Sequence, residues 1–183
     1  TGFPVFVGIE FYSLEGDIVA FGIEEYPKER IPAQEFIDMV KEQGGVCFAA
    51  HPFRNNRRGL EEHLLKVRGL DGLEVLNGST SEEACRKAAE YAERLGLFTL
   101  GASDCHVSEK VGVCATYFPE EIRTMEDFLA AFRKGGMKPA YFENGAYQNV
   151  HLERRGSVRM EIIEYLLKLT DVLVFKNAED EYF

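Results

Sequence analysis

Several things are missing from this chain, and each absence removes a class of protein. No apolar run reaches the roughly 20 residues a membrane-spanning helix needs. No basic stretch precedes an apolar one near the start, so no secretory leader is expected. No C-x-x-C pair occurs. Cys47, Cys85, Cys105 and Cys114 stand far apart, as expected for reduced, mostly packed thiols of a cytoplasmic protein. Positive charge is scarce, with 21 Lys and Arg against 31 Asp and Glu. The resulting net charge of −10 repels nucleic-acid phosphates and argues against a broad DNA-coating role. Tyr and Phe are scattered and form no stacking platform for single strands. There is no internal repeat and no low-complexity linker. The chain also lacks an initial methionine, opening on Thr1-Gly2-Phe3-Pro4, so an upstream segment is expected.

What is present suits a folded domain. The 183 residues suffice for one real core, and 45 % hydrophobic with 28 % charged residues is ordinary for a globular protein. Residues 5–9 (VFVGI) and 17–22 (DIVAFG) are short apolar runs around Glu15-Gly16, which predicts a hairpin. Pro32 opens a helix through Gln43, with Ala33, Phe36, Ile37 and Val40 on one face and Gly44-Gly45 as the stop. Strands are expected at 46–50, 73–76, 97–102 and 114–118. Helices are expected at 60–67, at 80–95 (Thr80 and Glu83 as a capping box) and at 124–134. Strand and helix alternate, and the strands are near-continuous apolar runs, the pattern of a parallel sheet covered by helices. Residues 144–156 show no period. Residues 157–170 are expected to be helical and 172–175 to form a last strand. We therefore divide the chain into a βα portion at 1–143 and a C-terminal extension at 144–183.

The polar residues sit at strand ends. Glu10 follows the first strand, His51 the strand 46–50, Asn77 the strand 73–76, and Asp104 and His106 the strand 97–102. In parallel α/β folds such ends gather on one face, where active sites lie. Carboxylates and imidazoles converging there suit Zn²⁺, Mn²⁺ or Fe²⁺, ions that activate water and clamp phosphoryl oxygens. Taken one at a time, each residue has a plain alternative: a solvated Glu, a His-Pro turn, an Asp–His hydrogen bond. The loop after His51 reads Phe53-Arg54-Asn55-Asn56-Arg57-Arg58. Three arginines in five positions, at the rim of such a site, suit bidentate binding of phosphate oxygens, though a solvated loop is the even alternative. Lys110 is a weaker candidate. Cys105 is expected to pack, His63 to face solvent, and His151 has no assigned place.

In order, "VGIEF", "AAHPFR", "GLEVLNG" and "GASDCHVSEKVG" resemble successive motifs of the PHP family, the polymerase and histidinol phosphatase domain. The likeness runs from about Val5 to Lys138. It implies a distorted (β/α)7 barrel and a phosphoesterase with up to three divalent ions. It also implies that Glu10 bridges two metals, that His51 holds one, and that Asp104 and His106 complete two sites. Catalysis would rest on these four.

Two departures accompany the likeness. The family's opening H-x-H strand is not in this chain, which implies a barrel incomplete at its N-terminal side, with an open edge. Asp17 stands where many relatives carry a metal-binding His. It is either a ligand or a turn residue after Gly16. The expected function is a metal-dependent phosphoesterase acting on a phosphorylated small molecule or nucleotide. The alternative is a non-catalytic PHP-like fragment or pseudoenzyme. A metal-dependent amidohydrolase ranks third, because no strand-end lysine is present. The open edge predicts either self-association or cover from the C-terminal segment.

Overall fold

The computed structural model describes residues 4–152, 158–161 and 173–177. The expected hairpin forms from β1 (Phe6–Tyr12) and β2 (Asp17–Phe21). Then follow α1 (Ala33–Glu42), β3 (Val46–Ala49), a 3-10 turn at Glu61–Leu65, β4 (Gly72–Asn77), α2 (Glu82–Leu95) and β5 (Phe98–Ala102). After these come β6 (Cys114–Tyr117), α3 (Met125–Lys134), β7 (Lys138–Glu143), β8 (Ala146–Leu152), β9 (Val158–Glu161) and β10 (Leu173–Asn177).

Six strands make one sheet in the order β10-β1-β2-β3-β4-β5. β2 runs antiparallel to β1, as the expected hairpin requires, and also to β3, so the sheet is mixed where the apolar runs suggested a parallel one. Those runs reflect burial on both faces, which a mixed sheet between helices satisfies equally well. Ile9, Phe11, Ile18, Ala20, Cys47 and Ala49 point to one face and pack with Phe36, Ile37 and Val40 of α1 and Ala88 and Ala92 of α2. Val19, Phe21, Val46 and Phe48 alternate onto the other face and meet Phe128, Ala131 and Phe132 of α3. The Phe128 ring lies against those of Phe6, Phe21, Phe118 and Phe132, at centroid separations of 4.8–5.9 Å.

The remaining strands form an antiparallel sheet, β6-β7-β8-β9. It joins the first through β5. The hydroxyl of Thr116 accepts from Gly101 N at 3.0 Å and donates to Gly101 O at 2.8 Å, where a β-ladder would otherwise run. The described residues contain three α-helices, and their sheets stay open; they do not close into a seven-unit barrel.

Other expectations also change. The cap of α2 is Ser81, whose Oγ accepts from Ala84 N, not Thr80. Thr80 is otherwise engaged, accepting from Arg54 Nε and donating to Asn77 Oδ1. The helix expected at 157–170 is contradicted at Val158–Glu161, which pairs with β8, and the rest of that span lies outside the described residues. The last strand does form. Its partner is β1, in parallel, so the C-terminal segment covers the edge that the sequence left open. Among the described residues no helix is long and apolar enough to cross a membrane.

Candidate metal centre

The topology explains why polar residues meet. β1 is antiparallel to β2, which is antiparallel to β3, and β4 and β5 run parallel to β3. The C-terminal ends of β1, β3, β4 and β5 therefore share one edge with the start of β2. Glu10, His51, Asn77 and the 103–106 loop arrive from the strand ends, and Asp17 arrives from the start of β2.

Glu10, Asp17 and His51 come together, each with a ligand atom within 4.8 Å of the others. His51 Nε2 lies 3.1 Å from Glu10 Oε1 and 3.6 Å from Asp17 Oδ2. Asp17 is fully buried at the start of β2. Burial raises its carboxyl pKa, against the opposing hydrogen bond from Arg58. Burial alone would lower the imidazole of His51. The hydrogen bond to Glu10 and the neighbouring Glu74 charge outweigh it, so the net direction is up. His51 Nδ1 is buried without a hydrogen-bond partner among the described residues. Two carboxylates and an imidazole at this spacing fit a divalent cation of the borderline or hard kind. The unmet polar demand of the ring is the sort of exception that functional sites carry.

Asp104 belongs to an adjoining group. Arg54 Nη2 donates to Asn77 Oδ1 at 2.6 Å and to Asp104 Oδ2. Its Nε donates to Thr80 Oγ1 at 3.0 Å. Asn77 Nδ2 donates at 3.0 Å to Glu74 Oε2, which also accepts from His51 N at 2.9 Å. One continuous network thus runs from Asp104 through Arg54, Asn77 and Glu74 to His51. β5 stops at Ala102, so strand alternation does not govern Asp104 and His106. Asp104 takes a left-handed φ of 46°, and the His106 ring turns outward, 77 % exposed, with Nδ1 3.7 Å from Asp104 Oδ1. Cys105, expected to pack, is exposed. His51 has φ 29° and Arg57 φ 62°. Non-glycine backbone in this region costs free energy and tends to collect at functional sites.

The three loop arginines part ways. Arg54 is held by Asn77, Thr80 and Asp104. Arg58 forms a fork on Asp17, Nε to Oδ2 at 2.7 Å and Nη2 to Oδ1 at 3.0 Å. Arg57 is exposed. Lys110 is exposed, in a short turn after the 103–106 loop. His63 is half-buried in the 3-10 turn, and the side chain of His151 lies outside the described residues.

Sequence reasoning missed Glu74. It is buried inside β4, and burial pushes its carboxyl up to about 7. An acid in the middle of the apolar stretch LEVL was the available signal, since buried acids need partners. It also missed Tyr12 and Arg30, which flank the loop: the Arg30 and Arg58 guanidiniums lie 3.7 and 4.3 Å from the Tyr12 ring centroid. Nothing in their spacing points to that contact.

Parts of the chain resemble known proteins. A family model described as PHP-associated matches residues 82–136. The chain is 31 % identical over 121 residues to an uncharacterized protein of Methanocaldococcus jannaschii, covering 62 % of this chain and 51 % of that protein. It is 33 % identical over 76 residues to another from the same organism, covering 42 % and 44 %. The chain spans about half the length of the curated relatives it matches. Among solved structures, a two-domain protein from Bacteroides vulgatus containing a predicted PHP-like metal-dependent phosphoesterase aligns with TM-score 0.56. The alignment covers 73 % of this chain and 43 % of that one at 19 % identity, a likeness of fold.

Proposed function

We propose that this chain belongs to the PHP family and is part of a metal-dependent phosphoesterase acting on a phosphorylated small molecule or nucleotide. The observation that carries this reading is the meeting of Glu10, Asp17 and His51 at the edge where four strand ends gather.

Glu10, Asp17 and His51 would hold one divalent ion, with Asp104 and His106 contributing to a second position beside it. A bound Zn²⁺, Mn²⁺ or Fe²⁺ would supply Lewis acidity and water acidified for attack on phosphorus. The residues themselves do the positioning. Glu74 fixes the backbone of His51 and the amide of Asn77, and Asn77 fixes Arg54. Arg54, Arg57 and Arg58 lie on one loop, where guanidinium forks would take the phosphate oxygens as charge builds in the transition state. The second reading, a binding module without turnover, draws on the exposure of His106, which leaves the Asp104 pair short of enclosing ligands.

The test is metal analysis alongside a phosphatase assay. His51→Ala and Asp104→Ala are expected to lose bound metal and phosphomonoester hydrolysis together, because ligands and activated water act as one unit. Either variant keeping both would make these residues structural. Metal binding without turnover would favour the second reading.

A further inference from the structure

Arg58 and the metal position contend for one carboxylate. Asp17 Oδ2 is the atom that faces His51 Nε2, at 3.6 Å. It is also the atom that accepts from Arg58 Nε, at 2.7 Å. An ion shared by Asp17 and His51 would draw on the carboxylate that Arg58 now holds, with Oδ2 the oxygen nearer His51. A buried carboxylate needs a positive partner, and Asp17 is 1 % exposed. Either the guanidinium or an ion can meet this need, and two cations side by side on one carboxylate would repel each other.

Arg54 is placed differently. It contacts Asp104 Oδ2, whereas Asp104 Oδ1 is the oxygen nearer His106. Its further bonds to Thr80 and Asn77 keep it in place whatever occupies Oδ1. Arg58 has a second support away from the carboxylate, the face of Tyr12, itself covered by Arg30. Arg30 is anchored by bonds to Ser13 O at 3.2 and 2.7 Å. Cation–π contact lets a guanidinium slide across a ring without losing all of its stabilisation.

We propose that Arg58 is an exchangeable counter-ion of Asp17. A divalent cation entering at Glu10, Asp17 and His51 displaces the fork along the Tyr12 ring and so releases it to bind a phosphate oxygen. Metal binding and phosphate binding are then coupled in that order, and Arg54 stays as the fixed positioning group. This rests on the metal reading given above.

The experiment titrates Zn²⁺ into the full chain while the ¹⁵N–¹H signals of the arginine Nε groups are followed, with calorimetry on wild type and Arg58→Gln. The Arg58 Nε–H signal is expected to shift in step with Zn²⁺ occupancy while that of Arg54 stays. Arg58→Gln is expected to bind Zn²⁺ about tenfold more tightly, the worth of about one charged hydrogen bond, and when loaded to bind inorganic phosphate about tenfold more weakly. Zn²⁺ binding with the Arg58 signal unmoved overturns the exchange and leaves the metal centre standing. Wild-type protein that binds no Zn²⁺ overturns both. Should Arg58→Gln fail to fold, the wild-type spectra decide the matter alone.

Discussion

Cys47 and Cys105 show how far position outweighs residue type. Burial pushes the Cys47 thiol from 9.0 up to about 12, whereas Cys105 is exposed on the 103–106 loop. Only the thiolate is nucleophilic. In native protein at pH 8 an alkylating reagent is therefore expected to modify Cys105 first and to leave Cys47 untouched until unfolding, as peptide mapping would show. Labelling of Cys47 at the rate of Cys105 would contradict its burial. Cys47 also sets a sign for stability. Between about pH 9 and 12 the unfolded chain releases a proton that the folded chain keeps, so this thiol's contribution to stability falls as pH rises through that window. The same contrast explains what could be read from sequence at this scale. Glu10, Asn77 and Asp104 were legible as polar residues ending apolar runs. The buried ion pair of Asp17 with Arg58 could not be read without the partner strands, and only the fold brings Tyr12 beneath Arg58.

At the scale of elements, apolar patterning located the helices and strands of residues 5–134 within a few positions, because each buried stripe must be apolar whatever its partners. Direction was legible only where a turn signal joins neighbours, as in the β1–β2 hairpin. A strand buried on both faces carries no trace of whether its neighbour runs parallel, so β2 was placed correctly but the sheet was misjudged. The antiparallel sheet was missed for another reason: its junction with β5 is a close backbone approach at Gly101. A Cβ there would stand 2.2 Å from Ala115 O. Gly101→Val is accordingly expected to push β6 off β5 and to cost about 1–3 kcal/mol or more, as overpacking does. Because Asp104 follows three residues later, the Arg54–Asp104 pair should be disturbed as well. Denaturant unfolding checks the first effect, and loss of metal affinity the second. A variant of unchanged stability would mean that the two sheets are not joined at Gly101.

For the whole molecule the open question is its edges. A sheet edge presents unpaired N–H and C=O groups that recruit other strands. One edge of the main sheet, β5, is engaged by Thr116. The other would be β1, where Val7 is 65 % exposed, were it not for β10. β10 pairs with β1 from Phe6↔Leu173 to Glu10↔Asn177, so the strand that carries Glu10 is held by the C-terminal segment. Two effects should follow from ending the chain after residue 172. The bared β1 edge is expected to pair with a second copy, raising the mass seen by light scattering in a concentration-dependent way. The end of β1 should also loosen, so metal affinity at Glu10 should fall even though no ligand was removed. The two readouts separate the causes: association without loss of metal affinity would mean that β10 only shields an edge. A truncated chain that stays monomeric and binds metal as before would show that β1 needs no cover from β10, and that the edge expected from the sequence is protected in some other way.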